Sequence, residues 1–492
     1  MKFTVINLLL LNFLLLVGLT VLSCTADEPL PQVDFKGYPE EIADIVLTQC
    51  ATSGCHNDES KGAAAGLSLS SWDNMMEGSR NGAITVPYSH GFSTFFLFTN
   101  TYEDLGVSVG PTMPFGGMPL SQDDVLKIRL WINRGAPNSK GLVKFSDNPQ
   151  RKKYYVLNRG CDMVTVFDWE TDLIARFVKV TFGLDVEDVE SLVLAPDGQH
   201  WYIVSPGGDV VRKYRVADDS LVGTLLLGDG KWTTLSISND SKKAFVINSD
   251  SNGSIAYVNL EEMSLVKKYE APNLFESPSS AYIDDLDQTL YVTAGSGNFI
   301  YKIDITDPLN LVVDKVVLQT GQLPSTLSEF DPKEIFIDPD GDKYYVTCSK
   351  SNEVRCFSIS DDHLLSTIPV GLGPSKMAYS PSKDYLFVSC PDDSLSFTGL
   401  RGSISVIDCQ SHAIVDKIYP GSQPNGMVVD EATQRLIVAN RNFTSDGPRP
   451  HHVTECEGRN GYVTYIDLNT LALIPDKKFE VSVDPFAVAI TR

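Results

Sequence analysis

The sequence predicts a multidomain chain in which a small all-α domain precedes an all-β propeller of seven blades that is closed by the C-terminal strand. Three observations predict this fold class. A short strand-like segment recurs seven times from residue 155 onward, at a mean spacing of about 47 residues. The chain ends in one further strand-like segment, "DPFAVAITR". Residues 38–140 lack the repeat and combine helical periodicity with Pro- and Gly-rich loops.

Each repeat has the make-up of a propeller blade. A turn-flanked strand precedes each copy from the second onward, and a second and usually a third strand follow it, so one repeat holds four strands. The first copy lacks its preceding strand, and "DPFAVAITR" matches the missing one, which predicts that the last residues close the ring. The seven copies are "YVLN" at 155, "YIVS" at 202, "FVIN" at 245, "YVTA" at 291, "YVTC" at 345, "FVSC" at 387 and "IVAN" at 437.

These repeats resemble the YVTN family of bacterial propellers over residues 150–492. The resemblance implies the fold far more than a function, because propellers host many activities. The formal net charge of −23 argues against a nucleic-acid partner, because an acidic surface repels phosphate backbones.

The first 23 residues form a targeting segment. Lys2 precedes the apolar run "VINLLLLNFLLLVGLTVL", which ends in Ser23 and Cys24. A small residue directly before a cysteine resembles the lipobox of bacterial lipoproteins, which implies cleavage before Cys24 and acylation of its thiol. An uncleaved membrane anchor is the alternative. By the same resemblance, Thr25 in place of aspartate indicates the outer membrane, so we expect a lipid-anchored envelope protein with a tether over 24–37, periplasmic or surface-exposed.

The helical domain, residues 38–140, carries three chemical features in order. An amphipathic helix leads into "CATSGCH", in which Cys50 and Cys55 bracket four residues and His56 follows. A Pro- and Gly-rich stretch, "PTMPFGGMPLS", contains Met113 and Met118. A second helix begins at a capping pattern on Ser121 and ends before "RGAPN". A disulfide between the two cysteines or a zinc site are alternatives, although zinc requires more cysteines or histidines than the domain contains.

This order resembles a small class I cytochrome c domain and is similar to the cytochrome domains fused to other modules in planctomycetes and Bacteroidetes. The resemblance implies one covalent haem c, with Cys50 and Cys55 forming the thioethers and His56 as the proximal iron ligand. Met113 is the implied distal ligand, Met118 is its alternative, and His90 is the least favoured candidate. The sequence departs from the usual pattern, because most attachment sites have two residues between the cysteines.

A possible second site lies in the propeller. The loops at 391–402 and 441–461 are long and belong to neighbouring blades, where binding sites often occur. The second loop holds His451, His452 and Cys456, which together with Cys161 of blade 1 could ligate a metal or contact haem. A disulfide between Cys161 and Cys456, or free thiols, is the alternative that we favour. The remaining propeller cysteines are predicted to be buried small hydrophobic residues: Cys348, Cys356, Cys390 and Cys409.

Three functions follow from these features. The favoured one is a membrane-anchored cytochrome that carries electrons to or from a redox partner protein, with the propeller as a docking or ligand-binding scaffold. The second is a redox enzyme that holds a substrate or a second cofactor near His451 and His452, with Arg159 or Arg459 as further candidate contacts. This arrangement is similar to that of the haem-d nitrite reductases. The third is a surface binding or sensing module. An electron carrier is favoured over a catalyst because electron transfer by a single haem requires no arrangement of catalytic residues.

Overall fold

The structure is a computed structural model that describes residues 34–183, 186–271, 274–284, 286–451, 456 and 458–491. The leader, Cys24 and most of the tether therefore lie outside the described residues, as does His452. Within the described part of the chain, no helix is long and apolar enough to cross a bilayer.

The regular elements within residues 34–140 are short helices, joined by irregular segments. The described elements there are four α-helices and three single 3-10 turns, with one isolated bridge between Ser79 and Gly82. The α-helices are α1 (Glu40–Gln49), α2 (Trp72–Met76), α3 (Thr94–Thr99) and α4 (Gln122–Asn133), and the 3-10 turns are Lys61–Ala63, His90–Phe92 and Glu103–Leu105.

The two predicted helices form where their apolar stripes predict them. In α1, Ile42, Ile45 and Val46 are buried, a spacing that places them on one helical face. In α4, Val125, Ile128 and Ile132 are fully buried. The α4 N-terminus is capped as predicted, because the Ser121 hydroxyl accepts a hydrogen bond from the Asp124 backbone at 3.2 Å. The two stripes join one apolar core with the side chains of α2 and α3.

The remaining chain forms a seven-bladed propeller, which confirms the predicted ring. Every blade is a four-stranded antiparallel path, numbered here from its inner strand outward. Blade 1 holds β1 (Lys153–Asn158), β2 (Met163–Asp168) and β3 (Ile174–Lys179), with a 3-10 turn at Arg159–Cys161. Blade 2 holds β4 (Ser191–Leu194), β5 (His200–Ser205), β6 (Val210–Arg215) and β7 (Leu221–Leu226). Blade 3 holds β8 (Trp232–Ile237), β9 (Lys243–Asn248), β10 (Asn252–Asn259) and β11 (Ser264–Tyr269), with β12 (Phe275–Glu276) paired to β10.

The other blades follow the same order. Blade 4 holds β13 (Pro278–Ile283), β14 (Thr289–Ala294), β15 (Phe299–Asp304) and β16 (Val312–Val317). Blade 5 holds β17 (Pro332–Ile337), β18 (Lys343–Cys348), β19 (Glu353–Ser358) and β20 (Leu364–Pro369). Blade 6 holds β21 (Met377–Ser380), β22 (Tyr385–Cys390), β23 (Ser403–Asp408) and β24 (Ala413–Ile418). Blade 7 holds β25 (Pro424–Asp430), β26 (Arg435–Asn440), β27 (Asn460–Asp467) and β28 (Ala472–Val483).

The C-terminal strand β29 (Pro485–Ile490) supplies the inner strand of blade 1, as the sequence predicts. It pairs antiparallel with β1, from Tyr154 opposite Ile490 to Asn158 opposite Pro485. The junction of blades 7 and 1 has two further ties. Cys161 and Cys456 form a disulfide across it. The Asp484 carboxylate accepts hydrogen bonds from Arg159 at 2.9 Å and from Arg441 at 2.5 Å.

The other four propeller cysteines are buried and unbridged, in agreement with their predicted role as small core residues. Cys348 and Cys390, which occupy equivalent positions on β18 and β22, are both fully buried. Burial raises the pKa of each thiol, to about 12 for Cys348 and about 11 for Cys390. Such thiols act as packing groups, because the reactive thiolate is scarce at neutral pH.

Replacing both cysteines of the disulfide, Cys161→Ser with Cys456→Ser, is expected to lower the free energy of unfolding by about 2–4 kcal/mol. The bridge joins residues 295 positions apart and restricts the unfolded chain. Thermal unfolding with and without a reducing agent measures the effect. The reductant should destabilise the wild-type chain and leave the double variant unchanged. Equal melting curves for the two proteins would show that the bridge contributes nothing.

Candidate functional site

A cavity of about 770 Å³ lies between the helical domain and the edge of the propeller where blades 7 and 1 meet. The helical domain lines one side of it with residues from the end of α1, from α3 and from the methionine loop. The propeller lines the other side with residues of β3 and β28 and with His451 of the long blade 7 loop. The predicted ligands Cys50, Cys55, His56 and Met113 all line this one cavity.

The sequence "CATSGCH" folds into a turn directly after α1. Cys50 caps the helix, and its backbone N–H donates to the Val46 carbonyl at 3.0 Å. The four-residue gap then turns back, so that the His56 N–H donates to the Cys50 carbonyl at 3.2 Å. Gly54 sits in the left-handed region with φ of 80°, which side chains rarely adopt. The long spacing therefore still presents both sulfurs and the imidazole on one side of the turn.

Cys50 and Cys55 are free thiols, so the disulfide alternative for this pair is not formed. Their environments differ. Burial raises the pKa of Cys50 to about 12, with a further increase from the nearby Cys55 thiol, whereas Cys55 is exposed. Among the residues that the structure describes, no group of three or more cysteine, histidine or acidic side chains is arranged to hold a metal ion.

The His56 imidazole is partly buried. Burial lowers its pKa below the ordinary value, and a hydrogen bond with the Leu67 backbone partly opposes this shift. Its Nδ1 atom is buried and has no hydrogen-bond partner among the described residues. A lowered pKa favours the unprotonated ring, which is the form that binds a metal.

Met113 and Met118 occupy different surroundings. Met113 is partly buried, lines the cavity and is fixed by a backbone hydrogen bond of 2.7 Å from its N–H to the Phe98 carbonyl. The Met118 side chain is 86% exposed and does not line the cavity. His90 also lies outside the lining, with its Nδ1 at 2.8 Å from the Asn133 side-chain oxygen. The arrangement favours Met113 over both alternatives.

The propeller wall of the cavity was not predicted from the sequence. Phe177 of β3 stacks on Phe92 of the helical domain with ring centroids 4.3 Å apart. Phe479 of β28 packs against Gly82 so closely that an added methyl group would lie 3.1 Å from its ring. The unusual feature of this wall is the length of β28, which has 12 residues, whereas the outer strands of the other blades have six each.

Charged groups of the propeller surround the same wall. Asp172 pairs with Arg435 at 2.8 Å and with Lys477. Glu480 accepts a hydrogen bond of 2.6 Å from the His451 backbone, and its carboxylate lies 3.4 Å from His451 Nδ1. The Lys478 ammonium group lies 4.1 Å from the centroid of the Tyr462 ring and is attracted by the Glu480 carboxylate, without a hydrogen bond or close ion pair among the described residues. Burial lowers the pKa of Lys478, because its ammonium group is partly removed from water.

Of the alternatives for the possible second site, the structure forms the disulfide between Cys161 and Cys456 that the sequence analysis favoured. The sulfurs of Cys161 and Cys456 are joined to each other, so neither is available as a thiolate ligand. His451 lines the cavity already described and marks no separate one. His452 lies outside the described residues. Arg159 and Arg459 make structural contacts. Arg159 pairs with Asp484, and Arg459 donates hydrogen bonds to backbone carbonyls of its own loop.

No family model matches the chain. A curated relative, Antigen Lp49 of Leptospira interrogans, is 27% identical over 103 residues, which make up 20% of this chain and 23% of that protein. The matched segment thus spans under a quarter of the relative's length.

Solved structures resemble the fold at low sequence identity. A functionally unknown protein from Desulfotomaculum acetoxidans aligns with a TM-score of 0.52 and 12% identity, covering 69% of this chain and 99% of its own. Weaker alignments include dihydro-heme d1 dehydrogenase NirN in complex with DHE, with a TM-score of 0.49 and 11% identity over 84% of this chain and 94% of that one. Hydrazine synthase of Kuenenia stuttgartiensis aligns with a TM-score of 0.45 and 18% identity, covering 63% of this chain and 90% of its own. The first alignment supports the propeller fold alone.

The two thiols should differ in reactivity before any cofactor is attached. In chain made in the cytoplasm without its leader, iodoacetamide at about pH 8 is expected to alkylate Cys55 at least about 100-fold faster than Cys50, because a thiol with a pKa near 12 holds little thiolate. Peptide mass spectrometry measures the two rates. The urea-unfolded chain is the control, in which the rates should converge, and equal rates in the folded chain would contradict the described burial of Cys50.

Proposed function

We propose that the chain is a c-type cytochrome of the bacterial envelope that transfers electrons, with its haem in the cavity between the helical domain and the propeller. The observation that carries this proposal is the convergence of Cys50, Cys55, His56 and Met113 on one cavity. These residues lie on two segments separated by more than half of the helical domain, so their meeting is a property of the fold.

The residues present fit the group. Both thiols are free, as thioether formation requires, and the imidazole has an unpartnered buried nitrogen. The cavity volume of about 770 Å³ falls within the range usual for cofactor sites. In this proposal Cys50 and Cys55 would hold the porphyrin covalently, and His56 and Met113 would ligate its iron. The haem, when bound, would supply a one-electron couple whose potential a methionine ligand raises.

The chain's own residues set the conditions of that chemistry. The turn after α1 fixes both sulfurs and the imidazole relative to one another. Phe95 and Phe98 of the helical domain and Phe177 and Phe479 of the propeller give part of the cavity an aromatic wall. An apolar surrounding disfavours the more highly charged oxidised state and so would favour a higher potential.

The location and the partner are also part of the proposal. The lipobox at Cys24 supports a lipid anchor in the outer membrane, with the tether of residues 24–37 joining it to the helical domain. The electron passes to or from a redox partner protein. The enzyme hypothesis receives no separate support, because His451 faces the same cavity and the two cysteines of the second site are bridged. The sensing hypothesis rests on no particular residue.

Substitution of either attachment cysteine, Cys50→Ser or Cys55→Ser, is expected to reduce covalent haem by more than about tenfold, because one thioether bond is lost and attachment fails. The pyridine haemochrome spectrum of chain matured in a periplasm that attaches haem c measures the content. Cys348→Ser is the control for loss of a buried thiol elsewhere. Wild-type protein without haem absorbance would end the cytochrome proposal.

The two methionines are distinguished by a second pair of variants. Met113→Ala is expected to lower the reduction potential by an amount on the order of 0.1 V and to remove the methionine-to-iron absorption band of the ferric state. Met118→Ala should leave both unchanged, because its side chain is exposed to solvent. The opposite pattern, with Met118→Ala altering the spectrum, would assign the distal position to Met118.

A further inference from the structure

We propose that Lys478, on the outer strand of blade 7, binds a carboxylate of the haem and that the propeller thereby completes the cofactor site. This inference rests on the proposed function. It adds a binding residue that belongs to the propeller and not to the helical domain that carries the attachment motif.

The chemistry of the cofactor creates the need for such a residue. A haem carries two carboxylate side chains, and placing a carboxylate against an apolar wall is costly unless a cation or hydrogen-bond donors meet it. Among the described residues that line the cavity, Lys478 is the only lysine or arginine. The other ionised groups of the lining are the carboxylates of Asp172 and Glu480, which repel an anion.

The neighbouring charges are already paired. Asp172 holds Arg435 at 2.8 Å and also holds Lys477, and Arg435 pairs a second time with Asp430 at 3.3 Å, so these two cations are balanced by two carboxylates of the propeller. Glu480 is engaged by His451, through the backbone N–H at 2.6 Å. Lys478 differs, since its ammonium group contacts the face of Tyr462 and forms no hydrogen bond or ion pair closer than 4 Å among the described residues, and the Glu480 carboxylate two positions along the strand attracts it only through space. A cation over a ring remains free to add an anion on its open side.

The position of Lys478 is fixed by the sheet. Lys478 pairs with Thr464 of β27, and the adjacent Phe479 pairs with Val463, so the backbone from Lys478 onward is held in the ladder. Phe479 is buried against the helical domain and locks the strand to that wall. The ammonium group therefore acts from a defined point at the cavity edge, and its stem remains adjustable.

The test uses the full chain matured with haem. In Lys478→Met, loss of a positive charge beside the cofactor should favour the oxidised state, shifting the ferric-to-ferrous ratio at a fixed potential by roughly threefold. Lys478→Arg should restore the wild-type potential, because the charge is kept. Lys417→Met, on the outer strand β24 of blade 6, is the matched control and should behave as wild type. Spectroelectrochemical titration measures all four proteins.

The outcomes separate the two proposals. A wild-type potential in Lys478→Met, with normal haem content, overturns the role of Lys478 and leaves the cytochrome assignment standing. A wild-type chain without covalent haem overturns both. Reduced haem content confined to Lys478→Met, in protein whose circular dichroism is unchanged, supports the role of Lys478 as a contact needed to hold the cofactor.

Discussion

Pairing of the C-terminal strand β29 with β1 is the constraint on which the rest of the structure depends. Without β29, the first blade has three strands and its inner edge carries unpaired backbone groups. A ring of blades, unlike an open solenoid, has no polar cap to cover such an edge. The pairing brings Lys153 and Thr491 together, where the Thr491 hydroxyl accepts a hydrogen bond of 2.8 Å from the Lys153 backbone. The ion pairs at Asp484 and the Cys161–Cys456 bridge also join blade 7 to blade 1, and this junction is called the seam below.

The cavity is built against that seam. Its propeller wall comes from β3 of blade 1 and β28 of blade 7, which are neighbours only because the ring closes. The buried pair of Tyr154 and Tyr465 hydroxyls bridges the two blades directly behind this wall, beside Asp172. Phe479 touches both sides, since its ring contacts Tyr465 at 6.1 Å between centroids and lies against Gly82 of the helical domain. The stability of the propeller and the shape of the site thus share one set of contacts.

The sequence predicts those parts of the molecule that a local pattern encodes. The blade period is visible because the second strand of each blade repeats the same short apolar segment, and α1 and α4 are visible through stripes such as Val125, Ile128 and Ile132. "CATSGCH" marks the thiol side of the cavity. Sequence alone did not separate Met113 from Met118, because both sit before a proline in the same glycine-rich loop and differ only in exposure. No local sequence pattern identifies Phe177, Phe479 and Lys478 as cavity residues. The residues of an outer strand do not indicate which blades the helical domain packs against.

The wall of the cavity has a consequence for the order in which the protein is made. The turn with both thiols and the methionine loop leave the ribosome early, whereas Phe479 and Lys478 lie near the end of the chain and β29 is last. Until the last blade has folded, the cavity therefore lacks the wall that β28 supplies. In the proposed cytochrome, a chain whose ring is still open would give the haem wider access to the two thiols, and pairing of β29 with β1 would complete the enclosure.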